Sequence, residues 1–193
     1  TRYWRDWSSD VCSSDLRLLD TVLLLPKWKG HLYNWYQIKS LEVLNPDYIS
    51  TVDSGNFLGH MIALKHGLLQ QISTPVISEC QLKELKKTAR LCNPEYELKD
   101  SYPDFYQLYE ELGYIWDEIA GREPKPKENP VWFAQLHENI EMLIDEISGY
   151  KLKEYTPQTC PSLIELAGMD NKKARAAIEK INDLCRKIDS ITN

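Results

Sequence analysis

An all-α fold is what this chain predicts, and three observations carry it. Apolar residues recur at three- and four-residue spacing through most of the sequence, while Gly and Pro fall between those runs. No segment alternates apolar and polar residues as a sheet would, apart from a short piece around Tyr48 to Val52. The chain has 193 residues, 42% hydrophobic and 27% charged, which suffices for a sizeable core.

The run from Arg17 to Leu25 makes the first helix, and it begins without a start signal. From His31 to Thr51 the sequence has no core periodicity and reads as a loop. A second helix is expected from about Ser54 to His66, ended by Gly67. Phe57, Leu58, Met61, Ile62, Ala63 and Leu64 make it apolar on nearly all sides, which places it at the buried centre of the fold. Gln81 to Leu91 forms the next helix and stops at Asn93-Pro94. Phe105, Leu108, Leu112, Ile115 and Ile119 mark a longer one, widened by Tyr109 and Trp116 and halted at Gly121.

Glu123 to Pro130 is charged, rich in proline and aperiodic, so it reads as a linker. Pro130 suits the first turn of a helix whose inner face is Phe133, Leu136, Ile140, Leu143, Ile144 and Ile147. A break spans Gly149 to Pro161. Asp170-Asn171 then opens an amphipathic helix bearing Ala174, Ile178, Ile181, Cys185 and Ile188.

Thr1 to Leu16 stands apart. Ser-Ser-Asp recurs there with a five-residue period that fits neither helix nor strand, and the string looks like a translated sequencing adapter instead of native protein. The first native helix lacks its start, and the last offers an apolar face that no later element covers. The chain is therefore expected to be an internal piece of a longer protein. Its parts are residues 17–122 with a loop at 30–56, the linker at 123–130, and further helices over 131–193.

Composition excludes several functions. The net charge of −6 argues against a nucleic-acid partner, since phosphate binding needs a basic face. Lys83, Lys86, Lys87 and Arg90 cluster, but Glu79 and Glu84 beside them make a solvated helix face. Cys80, Cys92, Cys160 and Cys185 contain no CxxC pair, so neither a zinc site nor a disulfide framework is expected. His137-Glu138 and Glu141 lack the second histidine of a zinc helix, and no metal or cofactor site is expected anywhere. No apolar run approaches the roughly 20 residues that span a bilayer, so no membrane contact is expected from this segment.

The candidate site lies in the first loop and the residues after it. His31, Asn34, Trp35, Tyr36, Asp53, Ser54 and Asn56 combine aromatics, amides, a hydroxyl and one carboxylate. A sugar ring needs that mixture, because its C–H faces pack on Trp or Tyr while its hydroxyls seek donors and acceptors. A plain structural role is open for the same residues: Asp53 or Ser54 can cap the helix that follows, and His31 can serve a structural hydrogen bond as well as a sugar.

The runs Gly30-His31-Leu32-Tyr33-Asn34-Trp35-Tyr36, Leu41 to Asn56, and Gly59-His60 to Gly67-Leu68 resemble cyclic β-1,2-glucan synthases. The resemblance is dense from Gly30 to Leu68, reaches back to about Arg17, and is only compositional after Ser73. It implies a place after the glycosyltransferase region of a large bacterial membrane enzyme, on the cytoplasmic side of the inner membrane. The fold it implies is a partial (α/α)6 barrel, an incomplete toroid with an additional helical bundle; a plain helical bundle is the alternative. The implied partners are a β-1,2-glucan chain and the remaining domains of the synthase, and the implied reaction is ring-closing transglycosylation in a glycoamylase-like region.

One departure is Gln37, which stands where the family commonly has Asp. Glycosyl transfer needs two carboxyl groups across the bond, about 5 Å apart or roughly 6.5–9.5 Å apart according to stereochemistry. Glu110-Glu111, Asp117-Glu118 and Glu138 with Glu141 sit on or beside polar helix faces. No catalytic residue is assigned here; the resemblance implies that those carboxylates lie beyond Asn193, leaving this segment a binding role.

Overall fold

The computed structural model describes residues 9–192, with side-chain surroundings from Arg17 onward. The fold is all-α. Among the described residues the helices are α1 (Ser9–Leu24), α2 (Thr51–Ser73), α3 (Glu79–Cys92), α4 (Phe105–Ile119), α5 (Pro130–Gly149), α6 (Leu163–Gly168) and α7 (Lys172–Thr192). Two short strands, β1 (Lys27–Trp28) and β2 (His31–Leu32), pair antiparallel. No described helix is long and apolar enough to cross a membrane.

The chain divides into two compact units, one of them formed by Ser73–Arg175. Its centre is α5, which packs against both α3 and α4. Leu136, Ile140, Leu143 and Ile147 of α5 are buried, as are Leu85 and Ala89 of α3 and Leu108, Leu112 and Ile119 of α4. Each such Leu or Ile contributes about 1.5–3 kcal/mol by leaving water, so three apolar stripes suffice to hold the bundle.

The helix ends follow from local chemistry. Ser78 and Gln81 form a capping box at α3, and the Asn93 backbone closes its other end. Asp104 caps α4; Asn129 caps α5 directly before Pro130. Helix α6 follows the expected break at Gly149–Pro161 and had no expected element, although Ser162 and Glu165 form the capping box that announces it.

Glu123–Pro130 runs inside this unit, and its fixed point is Glu128. That carboxylate is fully buried and takes Arg122 Nη1 at 2.9 Å and Nη2 at 3.0 Å, with the Lys125 amide at 2.8 Å. The Tyr96 hydroxyl lies 3.0 Å from it and 3.1 Å from Glu118, which also holds Lys125 at 2.8 Å. The Arg122 guanidinium stacks 5.0 Å over Phe133. A charged, proline-rich string is thus pinned by two-pronged pairing that spacing along the sequence cannot show.

The other unit comprises the described residues up to Ile72 together with the chain from Ala176. Helix α1 begins at Ser9, so the Ser-Ser-Asp period does not stop it: Ser9–Leu24 contains neither Gly nor Pro, and adding residues to a formed helix costs little. Residues 1–8, which carry the rest of the adapter reading, lie outside the described residues. Residues Thr51 and Val52 are helical, which removes the short strand expected there.

Helix α2 departs furthest from expectation. It runs through Gly67 to Ser73, because an interior glycine costs only about 1 kcal/mol and Leu68 beyond it is buried. It is not a buried central helix: only Ser54 and Leu68 are buried, while Val52, Ile62, Leu64 and Leu69 are exposed. An apolar surface all round records what a helix can bury, without saying that it does. Helix α7, by contrast, has its apolar face covered at Ile181, Leu184, Cys185, Ile188 and Ile191. Lys65 of α2 pairs with Asp189, and Lys187 reaches Asp20 of α1 at 2.7 Å.

Arg122 holds the Glu128 carboxyl down at about 2, well below its ordinary 4.5. A depressed carboxyl stabilises the fold above its unfolded value, so that contribution should drain away as pH falls from about 4.5 towards 2. At neutral pH, Glu128→Ala takes the two-pronged partner from the half-buried Arg122 guanidinium and should cost roughly 2 kcal/mol in urea unfolding.

Candidate functional site

The loop between β2 and α2 is built on its own hydrogen bonds. Gln37 N–H donates to Glu42 O at 2.8 Å, Leu44 N–H to Trp35 O at 3.1 Å, and Tyr36 pairs with Val43 in an isolated bridge. These turn the chain back on itself. Asn34 then closes the base: its amide donates to Tyr48 O at 2.9 Å, and its Oδ1 accepts from Ser50 N–H at 2.9 Å.

This closure brings two rings together on the outside. Trp35 and Tyr48 have centroids 5.9 Å apart and planes inclined by 32°, with 48% and 54% of their surfaces exposed. Two exposed aromatics so placed present a broken apolar platform. Tyr48 was missed among the candidate residues, although it lies inside the Leu41–Asn56 run; nothing in the spacing joins it to Trp35 across the turn.

Tyr36 points its chemistry inward. Its hydroxyl donates to Pro26 O at 2.8 Å and accepts from Tyr33 N–H at 2.7 Å, and its ring meets Tyr33 edge-on at 6.3 Å. Burial raises its pKa, with the Tyr33 phenol adding to the rise and the Tyr33 backbone bond opposing it. Gln37 also serves the loop, since its Oε1 accepts from the amides of Lys39 and Ser40. His31 is half-buried in β2, and its Nδ1 is buried without a partner.

Asp53, Ser54 and Asn56 lie in the first two turns of α2, beyond the loop. The cap is Ser50, not Asp53 or Ser54: its Oγ accepts from Asp53 N–H at 3.1 Å, and its carbonyl takes Ser54 N–H at 3.0 Å. The Asp53 carboxylate is exposed in the first turn, where it complements the helix dipole. Asn56, three residues on, shares its face and is exposed too; its carbonyl meets His60 Nδ1 at 2.6 Å. Ser54 is buried, with Oγ 3.5 Å from Leu32 O.

Through Ser50, then, the structure joins Asn34, Trp35 and Tyr48 to the helix start that carries Asp53. It turns Tyr36 and Ser54 inward. The exposed Asp53 carboxylate is suited to accepting hydroxyl hydrogens. Of the other acids considered, Glu118 is committed to Lys125 and Tyr96 in the other unit.

No protein-family model matches this chain. Over 44 residues, 23% of this chain, it is 52% identical to the cyclic β-(1,2)-glucan synthase NdvB of Rhizobium meliloti (strain 1021), and the match covers 2% of that protein's length.

Because Ser50 supplies the cap, Ser50→Ala should cost about 1 kcal/mol in thermal unfolding. Asp53→Ala, which removes only a favourable charge from the first turn, should cost less, on the order of 0.5 kcal/mol.

Proposed function

We propose that the loop and the start of α2 form one wall of a surface that binds a β-1,2-glucan chain, and that this segment supplies binding without catalysis. The observation that carries the reading is the exposed Trp35–Tyr48 pair next to Asn34 and the Asp53 helix turn. A glucosyl face packs on such rings, while Asp53, Asn56 and the free lone pairs of Asn34 accept hydroxyl hydrogens. The similarity to a cyclic β-(1,2)-glucan synthase supports β-1,2-glucan as the saccharide.

On this reading the segment belongs to a membrane-anchored bacterial synthase, on the cytoplasmic side, and contributes to its glycoamylase-like, ring-closing region. Helices α1 and α2 would be the first of an (α/α)6 barrel. The exposed Val52, Ile62, Leu64 and Leu69 of α2 support that placement, since they offer the apolar surface an inner barrel helix presents to its neighbours. The partners are then the glucan and the other domains of the synthase.

A ligand-free helical scaffold is the second reading, and the inward commitment of Tyr36 and Ser54 favours it. The two separate cleanly. Calorimetric titration with linear β-1,2-glucan should show Trp35→Ala weakening binding about tenfold, the loss of roughly 1.4 kcal/mol of stacking, with the unfolding midpoint unchanged. In the full-length synthase, Asp53→Ala should cyclise poorly while remaining folded. Unaltered binding and unaltered ring formation would leave the scaffold.

A further inference from the structure

The junction where α7 starts against the end of α5 holds a carboxyl group that the site does not use. Glu146 Oε2 is buried and has no hydrogen-bond partner. Beside it, Lys173 of α7 crosses Gly149 and is spent elsewhere: its Nζ holds Asp145 Oδ2 at 2.6 Å and Asp145 O at 3.1 Å, and sits 4.8 Å over the Tyr150 ring. A Cβ on Gly149 would lie 2.5 Å from that Nζ, so a larger residue there would make the lysine's end shift. Asn171 completes the docking, donating to Tyr150 O at 3.1 Å and capping Ala174 N–H at 3.1 Å.

We propose that this junction is a pH-sensitive latch: neutral Glu146 stays buried beside Lys173 with the first turn of α7 docked, whereas ionised Glu146, whose buried Oε2 has no donor, is drawn out to water and undocks that turn. The charged and titratable groups that face Glu146 are Asp145 and Tyr150 of α5, Lys173 of α7, and Cys160 in the segment before α6. Burial is the main reason its carboxyl titrates at about 7, with Lys173 pulling down and Asp145 pushing up. Burial also lifts Tyr150 to about 12 and raises Cys160, so neither changes charge alongside it.

The sign follows. A raised carboxyl binds its proton more tightly in the docked state, so docking is strongest below about 4.5 and weakens as pH climbs to about 7. An opened state with an ordinary carboxyl would therefore gain roughly 30-fold in population between about pH 5.5 and 8. Amide hydrogen exchange on the full chain reads this directly. Corrected for intrinsic rates, protection of the Arg175 amide, bonded to Asn171 O, should fall by about that factor, while Ala120 in α4 should change little.

Glu146→Gln should stay protected at both pH values, and Lys173→Met should be poorly protected at both. Equal protection of Arg175 at the two pH values in the wild type, or a pH response surviving in Glu146→Gln, would overturn the latch.

Discussion

The hydrogen bond from the Ser50 amide to Asn34 Oδ1 is the constraint on which the candidate site depends. It fastens the start of the aromatic loop to the residue whose hydroxyl caps α2. Without it, the Trp35 platform and the Asp53 turn would be held together only by the Asn34 N–H to Tyr48 O bond and the longer Ser54 contact with Leu32 O, leaving more of the loop free to move. With it, Asn34 fixes one end, Ser50 the other, and the Tyr36 hydroxyl anchors the interior to Pro26. What remains outward is the Trp35–Tyr48 pair and the first exposed face of α2. The candidate surface is thus held together by a capping motif and one amide.

The other unit solves a different problem by the same means. Its three amphipathic helices would leave the Pro-rich return between α4 and α5 loose, and Glu128 prevents this by gathering Arg122, Tyr96 and the Lys125 amide around one buried carboxylate. Such a cluster is stable only while complete, since each member is desolvated on the expectation of the others. Glu146 is the counter-example in the same unit: a buried carboxyl whose natural cation has been taken by its neighbour Asp145. Pairing lowers the carboxyl of one acid and burial raises that of the other, and geometry decides which.

Much of the fold was legible. The stripes of α4, α5 and α7 pointed where the periodicity placed them, and Asn93 and Pro130 marked real boundaries. The failures share a cause. Helix α2 looked central because composition reports hydrophobicity without reporting neighbours, and Gly67 looked like a stop because its local cost is visible while the burial of Leu68 is not. Glu128 was unreadable among the charges of 123–130, since its burial depends on Tyr96 and Arg122 arriving from elsewhere. Within the site, residue types gave Asn34, Trp35 and Asp53 their chemistry. Only the folded loop showed that Tyr48 joins them, that Ser50 holds them, and that Tyr36 and Ser54 face inward.

The claim that this loop meets a saccharide is tested most directly by nuclear magnetic resonance of the labelled chain titrated with linear β-1,2-glucan. The Trp35 indole N–H, the Asn34 side-chain amide and the Tyr48 and Asp53 backbone amides should shift together and saturate, while the amides around Glu128 stay in place. Shifts confined to other residues, or none at saturating glucan, would contradict the account.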